Sequence, residues 1–199
     1  VLPPSGIRKF FDIVATMDNV ISLGVGEPDF KTPERVRKAA MDSLAEGKTR
    51  YSSNWGMPKL REEIAHYLKR RFDLDYDTDQ ILCTIGASEA IDVTLRTILE
   101  PGDEVLVVEP SYVAYKPAIQ LQHGVPVVVT TKAENDFKLM PEELEAAITP
   151  KTKAIIINSP NNPTGVIYDA GTIEKIAAVL RQKSAEYGTC LLYTSDAAD

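Results

Sequence analysis

The chain has 199 residues, of which 44% are hydrophobic and 26% are charged, an ordinary balance for a globular protein with a sizeable core. The formal net charge is −7 and no stretch concentrates Lys and Arg, so nucleic acid is not an expected partner. No apolar run reaches the roughly 20 residues of a membrane-spanning helix, and the N-terminus lacks a secretory pattern; we therefore expect a cytoplasmic protein without a membrane segment.

Cysteine and histidine are too sparse to support metal or nucleophilic chemistry. The two cysteines, Cys83 and Cys190, give neither a disulfide framework nor the spacing of a metal site. His66 and His123 are isolated from each other in the sequence. No metal site and no catalytic histidine are expected.

The first third of the chain is predicted to contain two helices after a short amphipathic segment around 7–14. The first helix runs from 34 to about 46, and the second begins at 58 and has apolar residues at helical spacing. Thr32 is a candidate N-cap, with Pro33 at the first helical position of the first helix. Gly47 is its expected stop.

From Gln80 the pattern alternates between strands and helices. Strands are predicted at 81–85, 104–108, 126–130 and 153–157, and helices at 87–99, 112–121, 141–148 and 169–186. Such alternation implies right-handed crossovers between parallel strands. We therefore predict an α/β fold with a mostly parallel sheet and helices on both faces.

Small residues follow the first of these predicted strands. In Gly86–Ala90, Gly-Ala-Ser-Glu-Ala, backbone N–H groups at the start of a helix could bind an anion such as phosphate. Close packing of helix against strand is the structural alternative. The glycine fingerprints of dinucleotide and nucleoside triphosphate sites are absent, which argues against a plain nucleotide-binding module.

Two further strand ends carry groups suited to a flat ligand. Glu109-Pro110-Ser111-Tyr112 places an aromatic ring that could stack on a ligand or simply pack at the rim of the core. Residues 158–165, Asn-Ser-Pro-Asn-Asn-Pro-Thr-Gly, form an amide-rich loop. It is either an ordinary turn or a segment whose amides hydrogen-bond a hydroxyl of a ligand ring. An anion cradle, an aromatic plate and an amide together suit a phosphorylated heteroaromatic such as pyridoxal phosphate.

The order and spacing of these motifs resemble those of a known enzyme family. The matching segments are Leu23–Phe30, Tyr51, Gly86–Ala90, Glu109–Tyr112 and Asn158–Tyr168. They resemble class I/II aminotransferases, pyridoxal-phosphate enzymes of fold type I, from about Ser5 to about Tyr187. The resemblance implies the large domain of such an enzyme, in incomplete form.

The resemblance also implies roles for individual residues toward pyridoxal 5'-phosphate. Ala87 and Ser88 would hold the phosphate, Tyr112 would stack on the pyridine ring, and Asn162 would bond the ring hydroxyl oxygen. Amino acid and 2-oxo acid would be the substrates.

Two more residues are implied at the substrate and at a neighbouring subunit. Gly26 would lie beside the substrate carboxylate. Tyr51 would reach the cofactor phosphate of the other subunit, so the full-length protein is expected to be a homodimer. An exposed loop aromatic is the other interpretation of Tyr51.

The domain prediction divides the chain into three parts. Residues 1–30 are expected to be an N-terminal arm belonging to the smaller domain, and 31–187 the truncated cofactor-binding domain. Residues 188–199 fit the family poorly and are expected to be an atypical tail. Ser195-Asp196 echoes the family's Ser-Asp pair but comes late, so the role of pairing the pyridine nitrogen is not assigned to Asp196.

No catalytic residue is assigned in this chain. The family's Schiff-base lysine and substrate-binding arginine are expected beyond Asp199, so the parent is predicted to be an aminotransferase and the fragment alone to be inactive. One alternative is a pyridoxal-phosphate lyase or decarboxylase, since the scaffold does not fix the reaction. Another is a ligand-sensing regulator with a non-catalytic aminotransferase-like domain.

Overall fold

The computed structural model describes residues 7–14, 16–21, 28–188 and 192–196. The chain divides into two compact units, 1–83 and 84–199. Among the described residues, no helix is both long enough and apolar enough to cross a bilayer. The sequence-based division at residues 30 and 187 stays a prediction.

The first unit is helical where it is regular. Its helices are α1 (Ile7–Val14), α2 (Glu34–Ala45) and α3 (Pro58–Phe72), followed by a 3₁₀ turn at Thr78–Gln80. Helix α2 begins at Glu34 with Pro33 as its N-cap residue and no side-chain capping bond, so the predicted cap by Thr32 is wrong. Gly47 follows the helix with φ of +70°, a conformation that glycine adopts without strain.

The second unit is an α/β sandwich. Its strands are β1 (Glu104–Glu109), β2 (Val125–Thr130), β3 (Thr152–Asn158) and β4 (Leu192–Asp196), and its helices are α4 (Ala87–Ile98), α5 (Tyr115–Leu121), α6 (Pro141–Ala147) and α7 (Ala170–Tyr187). The strands form one sheet in the order β2-β1-β3-β4, and every neighbouring pair is parallel. The predicted α/β fold with a parallel sheet is confirmed.

Apolar β-branched runs produce the two adjacent strands β1 and β3. Val105 to Val108 and Ala154 to Ile157 are buried throughout, as expected for parallel strands covered on both faces. Their register aligns Leu106 with Ile155 and Val107 with Ile156. Side chains of each strand alternate between the two faces, so each strand contributes to both cores.

Helices cover the two faces of the sheet in pairs. On one face α4 and α5 pack on the strands, in a core of Leu95, Val105, Val107, Tyr115, Ile119, Ala154 and Ile156. On the other face α6 and α7 complete a core of Leu106, Val108, Val129, Leu139, Leu144, Ile148, Ile155, Ile157, Ile176 and Leu180. The predicted placement of helices on both faces is thus confirmed.

The connections diverge between β1 and β3. From β1 the chain crosses through α5 on one face to β2, whereas from β3 it crosses through α7 on the opposite face to β4. Opposite directions on opposite faces give crossovers of the same hand, as the right-handed rule requires. At such a divergence, open α/β sheets bind ligands in the crevice outside the carboxyl ends of the strands.

Two predicted elements differ from the structure. The strand predicted at 81–85 is wrong: these residues are irregular, and Ile85 is 91% exposed. The Cys83 N–H donates to the Trp55 carbonyl, 3.1 Å away, rather than to a strand, and without a strand partner β-propensity alone does not make a strand. The helix predicted from residue 112 begins at Tyr115, because the residues after β1 are used in the turn.

Truncation of a core leucine should measure the contribution of the α6–α7 face. Leu144 is fully buried, and Leu144→Ala should lower the free energy of unfolding by about 2–5 kcal/mol, because it removes buried methyl groups and leaves a cavity. Leu121→Ala removes the same atoms from a side chain that is mostly exposed and should change stability by less than about 0.5 kcal/mol. Urea unfolding followed by circular dichroism tests both; equal effects would contradict the assigned core.

A second prediction concerns the N-cap of α7. The Asp169 Oδ1 atom accepts hydrogen bonds from the Thr172 N–H at 2.8 Å and from Thr172 Oγ1 at 3.1 Å, and Lys138 Nζ lies 3.6 Å from Oδ2. These bonds, with a smaller effect of the lysine charge, hold the pKa of Asp169 below its ordinary value of 3.8. The stabilisation by the charged form is therefore complete above that value and is lost as pH falls through the lower folded-state pKa.

Asp169→Asn is the variant that isolates this charge. An asparagine oxygen still caps the helix but does not titrate. The stability of the natural chain relative to Asp169→Asn should fall as pH is lowered from about 5 to about 2, measured as urea midpoints. A difference that stays constant over this range would show that the charge does not contribute.

Candidate functional site

The candidate site lies at the carboxyl edge of the sheet, around the crevice between β1 and β3. Three segments meet this edge: the first turn of α4, the loop after β1 and the loop after β3. They contain four of the residues proposed from the sequence, namely Ala87, Ser88, Tyr112 and Asn162.

Packing at the other end of α4 fixes the direction of that helix. Leu99, just after α4, packs so close to Gly124 that a Cβ at residue 124 would lie 2.9 Å from its Cδ1. Gly124 precedes β2, so the C-terminal end of α4 lies at the amino edge of the sheet. A helix of 12 residues is about 18 Å long, which brings its N-terminus to the carboxyl edge.

The N-terminus of α4 is open to solvent. Gly86 is the N-cap residue, with φ of +80° and no side chain to occupy the first-turn N–H groups. Ala87 and Ser88 are exposed. Glu89 turns back to accept a hydrogen bond from the Ile85 N–H. An uncapped first turn with small exposed residues can bind an anion through its N–H groups.

The aromatic ring after β1 is anchored on one side and exposed on the other. Tyr112 meets the buried Tyr115 ring edge to face, with centroids 5.8 Å apart and an interplanar angle of 72°. The Tyr112 side chain nevertheless remains 38% exposed. The ring is therefore held by the core while part of its surface is available to a ligand.

The two adjacent amides of the loop after β3 differ in their surroundings. Asn161 is half-buried, and its Nδ2 donates to the Pro110 carbonyl at 2.9 Å and to Thr164 Oγ1 at 2.8 Å. Asn162 is exposed. Of the pair, Asn161 is engaged within the protein and Asn162 is free to meet a ligand, as the sequence interpretation of Asn162 requires.

Sequence reasoning missed two asparagines of this loop. Asn161 ties the loop after β3 to the loop after β1, a contact between residues 51 positions apart. Asn158, the last residue of β3, is only 5% exposed, and its Oδ1 has no hydrogen-bond partner among the described residues. The sequence signal that could have identified Asn158 is its position as the polar residue at the end of an otherwise apolar buried strand.

Charged and hydroxyl groups secure the strand ends. The Glu109 carboxylate pairs with Lys116 of α5, and the Glu109 carbonyl accepts hydrogen bonds from the N–H and Oγ1 of Thr131, both at 2.8 Å. Burial raises the pKa of Tyr168, so this phenol stays protonated at neutral pH. The ion pair and the two hydrogen bonds connect the end of β1 to α5 and to the residue after β2.

Two further residues proposed from the sequence precede the second unit in the chain. Gly26 lies outside the described residues. Tyr51 belongs to the first unit, where its side chain is fully exposed. Across the described part of the chain, no group of three or more His, Cys, Asp or Glu side chains is arranged to hold a metal ion.

Comparison with known proteins identifies one family over most of the chain. The family described as Aminotransferase class I and II matches residues 18–185. The Bacillus subtilis protein YugH is 52% identical over 177 residues, covering 88% of this chain and 46% of its own length. Aromatic-amino-acid aminotransferase 2 of Thermococcus litoralis is 46% identical over 175 residues, covering 87% of this chain and 45% of its own length.

Solved structures share the fold. The aspartate aminotransferase of Thermus thermophilus superposes with a TM-score of 0.85 at 36% identity, over 97% of this chain and 50% of that one. The chain thus spans about half the length of the relatives that it matches. The resemblance predicted from the motifs is confirmed, and the chain belongs to the class I and II aminotransferase family.

Proposed function

We propose that the full-length protein is a pyridoxal-phosphate-dependent aminotransferase that exchanges an amino group between an amino acid and a 2-oxo acid. Family membership supports the cofactor and the general reaction. Relatives are named for aromatic amino acids and for aspartate, so the proposal covers the substrate class rather than one donor.

One observation carries the proposal. The uncapped turn of α4, the partly exposed Tyr112 ring and the exposed Asn162 amide all lie at the carboxyl edge of the sheet. An anion site, an apolar plate and an uncharged hydrogen-bonding group match the phosphate, the ring and the ring oxygen of pyridoxal phosphate. When bound, this cofactor supplies an electron sink for the carbon that carries the amino group.

Each residue contributes by binding or orienting. The N–H groups of Ala87 and Ser88, with the Ser88 hydroxyl, bind the phosphate, favoured by the positive end of the helix dipole. Tyr112 stacks on the ring and fixes its plane. Asn162 donates its amide N–H to the ring oxygen and fixes the rotation of the ring within that plane.

The remaining roles follow from the same proposal. Gly26 lies beside the substrate carboxylate, where the absence of a side chain permits close approach. Tyr51 contacts the cofactor phosphate of a second subunit in a cytoplasmic homodimer; its full exposure leaves the ring available for such a contact. Residues 1–30 belong to the smaller domain, 31–187 to the cofactor-binding domain, and 188–199 are an atypical tail.

The 199-residue chain is proposed to bind the cofactor without catalysing the reaction. None of its lysines follows the family's pattern for the residue that holds the cofactor covalently and moves the proton. Its own side chains supply phosphate binding, stacking and orientation. Those contributions place the ring, but none of them is a base positioned at the reacting carbon.

Binding of pyridoxamine 5'-phosphate to the chain tests the site. This ligand has no aldehyde and cannot react with surface lysines, so only the proposed contacts hold it. Ser88→Ala, Tyr112→Leu and Asn162→Ala should each weaken binding about three- to tenfold, the effect of one lost hydrogen bond or stacking contact. Equilibrium dialysis or ligand fluorescence gives the dissociation constants.

Two controls accompany this measurement. Gln120→Ala removes an exposed amide from α5 in the same unit and should leave binding unchanged. Pyridoxamine, which lacks the phosphate, should bind more weakly than its phosphate ester and should be insensitive to Ser88→Ala. If the natural chain does not bind the phosphate ester, the proposed site is wrong.

An assay of amino transfer tests the absence of catalysis. With pyridoxal phosphate, an amino acid and a 2-oxo acid, the 199-residue chain should form new amino acid no faster than free cofactor does. Borohydride reduction should label several surface lysines weakly rather than one lysine stoichiometrically. Turnover together with a single stoichiometric adduct would contradict the prediction.

A further inference from the structure

We propose that Asn161 is a positioning residue of the cofactor site, whose side chain sets the spacing between the Tyr112 loop and the Asn162 loop. This inference rests on the proposed function. Asn161 need not touch the ligand; it acts through the residues on either side of the crevice.

The side chain of Asn161 joins two loops that are distant in sequence. One hydrogen bond from Nδ2 goes to the Pro110 carbonyl at 2.9 Å, in the loop after β1. The other goes to Thr164 Oγ1 at 2.8 Å, within its own loop. Both donor hydrogens of the amide are thus used, one inside the loop and one across the crevice.

The backbone of Asn161 already closes its own loop. Its N–H donates to the Val166 carbonyl at 2.9 Å, and its carbonyl accepts from the Gly165 N–H at 2.7 Å. These bonds do not need the side chain. Of the two side-chain hydrogen bonds, only the bond to Pro110 leaves this loop, and it is therefore the distinct contribution of the side chain.

The position of this bond explains why it should affect the ligand. Pro110 is two residues before Tyr112, and Asn161 directly precedes Asn162. A shift between the two loops therefore moves the stacking ring relative to the ring-oxygen donor. Since both groups must contact one rigid ligand, a displacement of about 1 Å is enough to weaken one contact or the other.

Asn161→Leu tests the proposal with little change in side-chain size and none in charge. The variant should bind pyridoxamine 5'-phosphate about three- to tenfold more weakly than the natural chain. The induced circular dichroism of the bound ligand should also change, because the ring is held in a different orientation. A role limited to loop folding would not alter the ligand's spectrum.

Thr164→Val is the matched control. It removes the acceptor inside the loop and leaves the Asn161 bond to Pro110 in place. Its affinity should stay within about twofold of the natural chain, with an unchanged spectrum. If Asn161→Leu does not fold, as judged by urea unfolding, Asn161→Ser replaces it, since a serine hydroxyl is too short to reach Pro110.

A double-mutant cycle separates positioning from an independent effect. If Asn161 acts through the Tyr112 ring, the fold-loss of affinity caused by Asn161→Leu should be at least twofold smaller in a Tyr112→Leu background than in the natural chain. Additive effects would overturn the inference, as would unchanged affinity and spectrum in Asn161→Leu. Failure of the natural chain to bind at all would instead overturn the proposed function, and this inference with it.

Discussion

The pairing of β1 with β3 organises the second unit. Both strands are buried on both faces, and their backbone groups are satisfied by parallel neighbours on each side. Because the crossovers that leave them lie on opposite faces of the sheet, their carboxyl ends cannot be closed by a single connection. Open α/β sheets bind ligands where crossovers diverge in this way, and the residues that follow each strand lie at this edge of the sheet.

The chemistry of this edge is mostly uncharged. In the proposed site, a helix N-terminus, a phenol ring and an amide would bind a phosphorylated aromatic ring without adding a cation to an acidic chain of net charge −7. The charged pair of Glu109 and Lys116 is used to fix the strand end. Ligand binding at the proposed site therefore depends on the geometry of these groups. Contacts that fix the spacing of the loops after β1 and β3 are important for that reason.

The adjacent residues Asn161 and Asn162, in the loop after β3, have different surroundings. The Asn161 amide faces the protein and joins two loops, while Asn162 is exposed beside it. Asn158 closes the strand with a buried oxygen that has no partner among the described residues. Burying a polar group without a hydrogen bond costs free energy, and most buried polar groups in proteins are therefore paired. Besides the exposed Asn162 amide, the Asn158 oxygen is a second amide group of this loop without a hydrogen-bond partner among the described residues.

The sequence by itself determined the alternation of strands and helices and the parallel sheet, because hydrophobic periodicity and turn residues act locally. The order and spacing of its motifs also indicated the family by resemblance. The sequence also located Ser88, Tyr112 and Asn162 at strand or helix ends. The same local signals predicted a strand at 81–85 that has no partner to pair with.

Only the tertiary structure decided the order β2-β1-β3-β4, the contact between the loops after β1 and β3, and which of two adjacent asparagines faces inward. The bond from Asn161 to Pro110 joins residues 51 positions apart, and no local pattern encodes it. Contacts of this range depend on how the helices pack on the sheet, and packing is a property of the whole fold rather than of any segment.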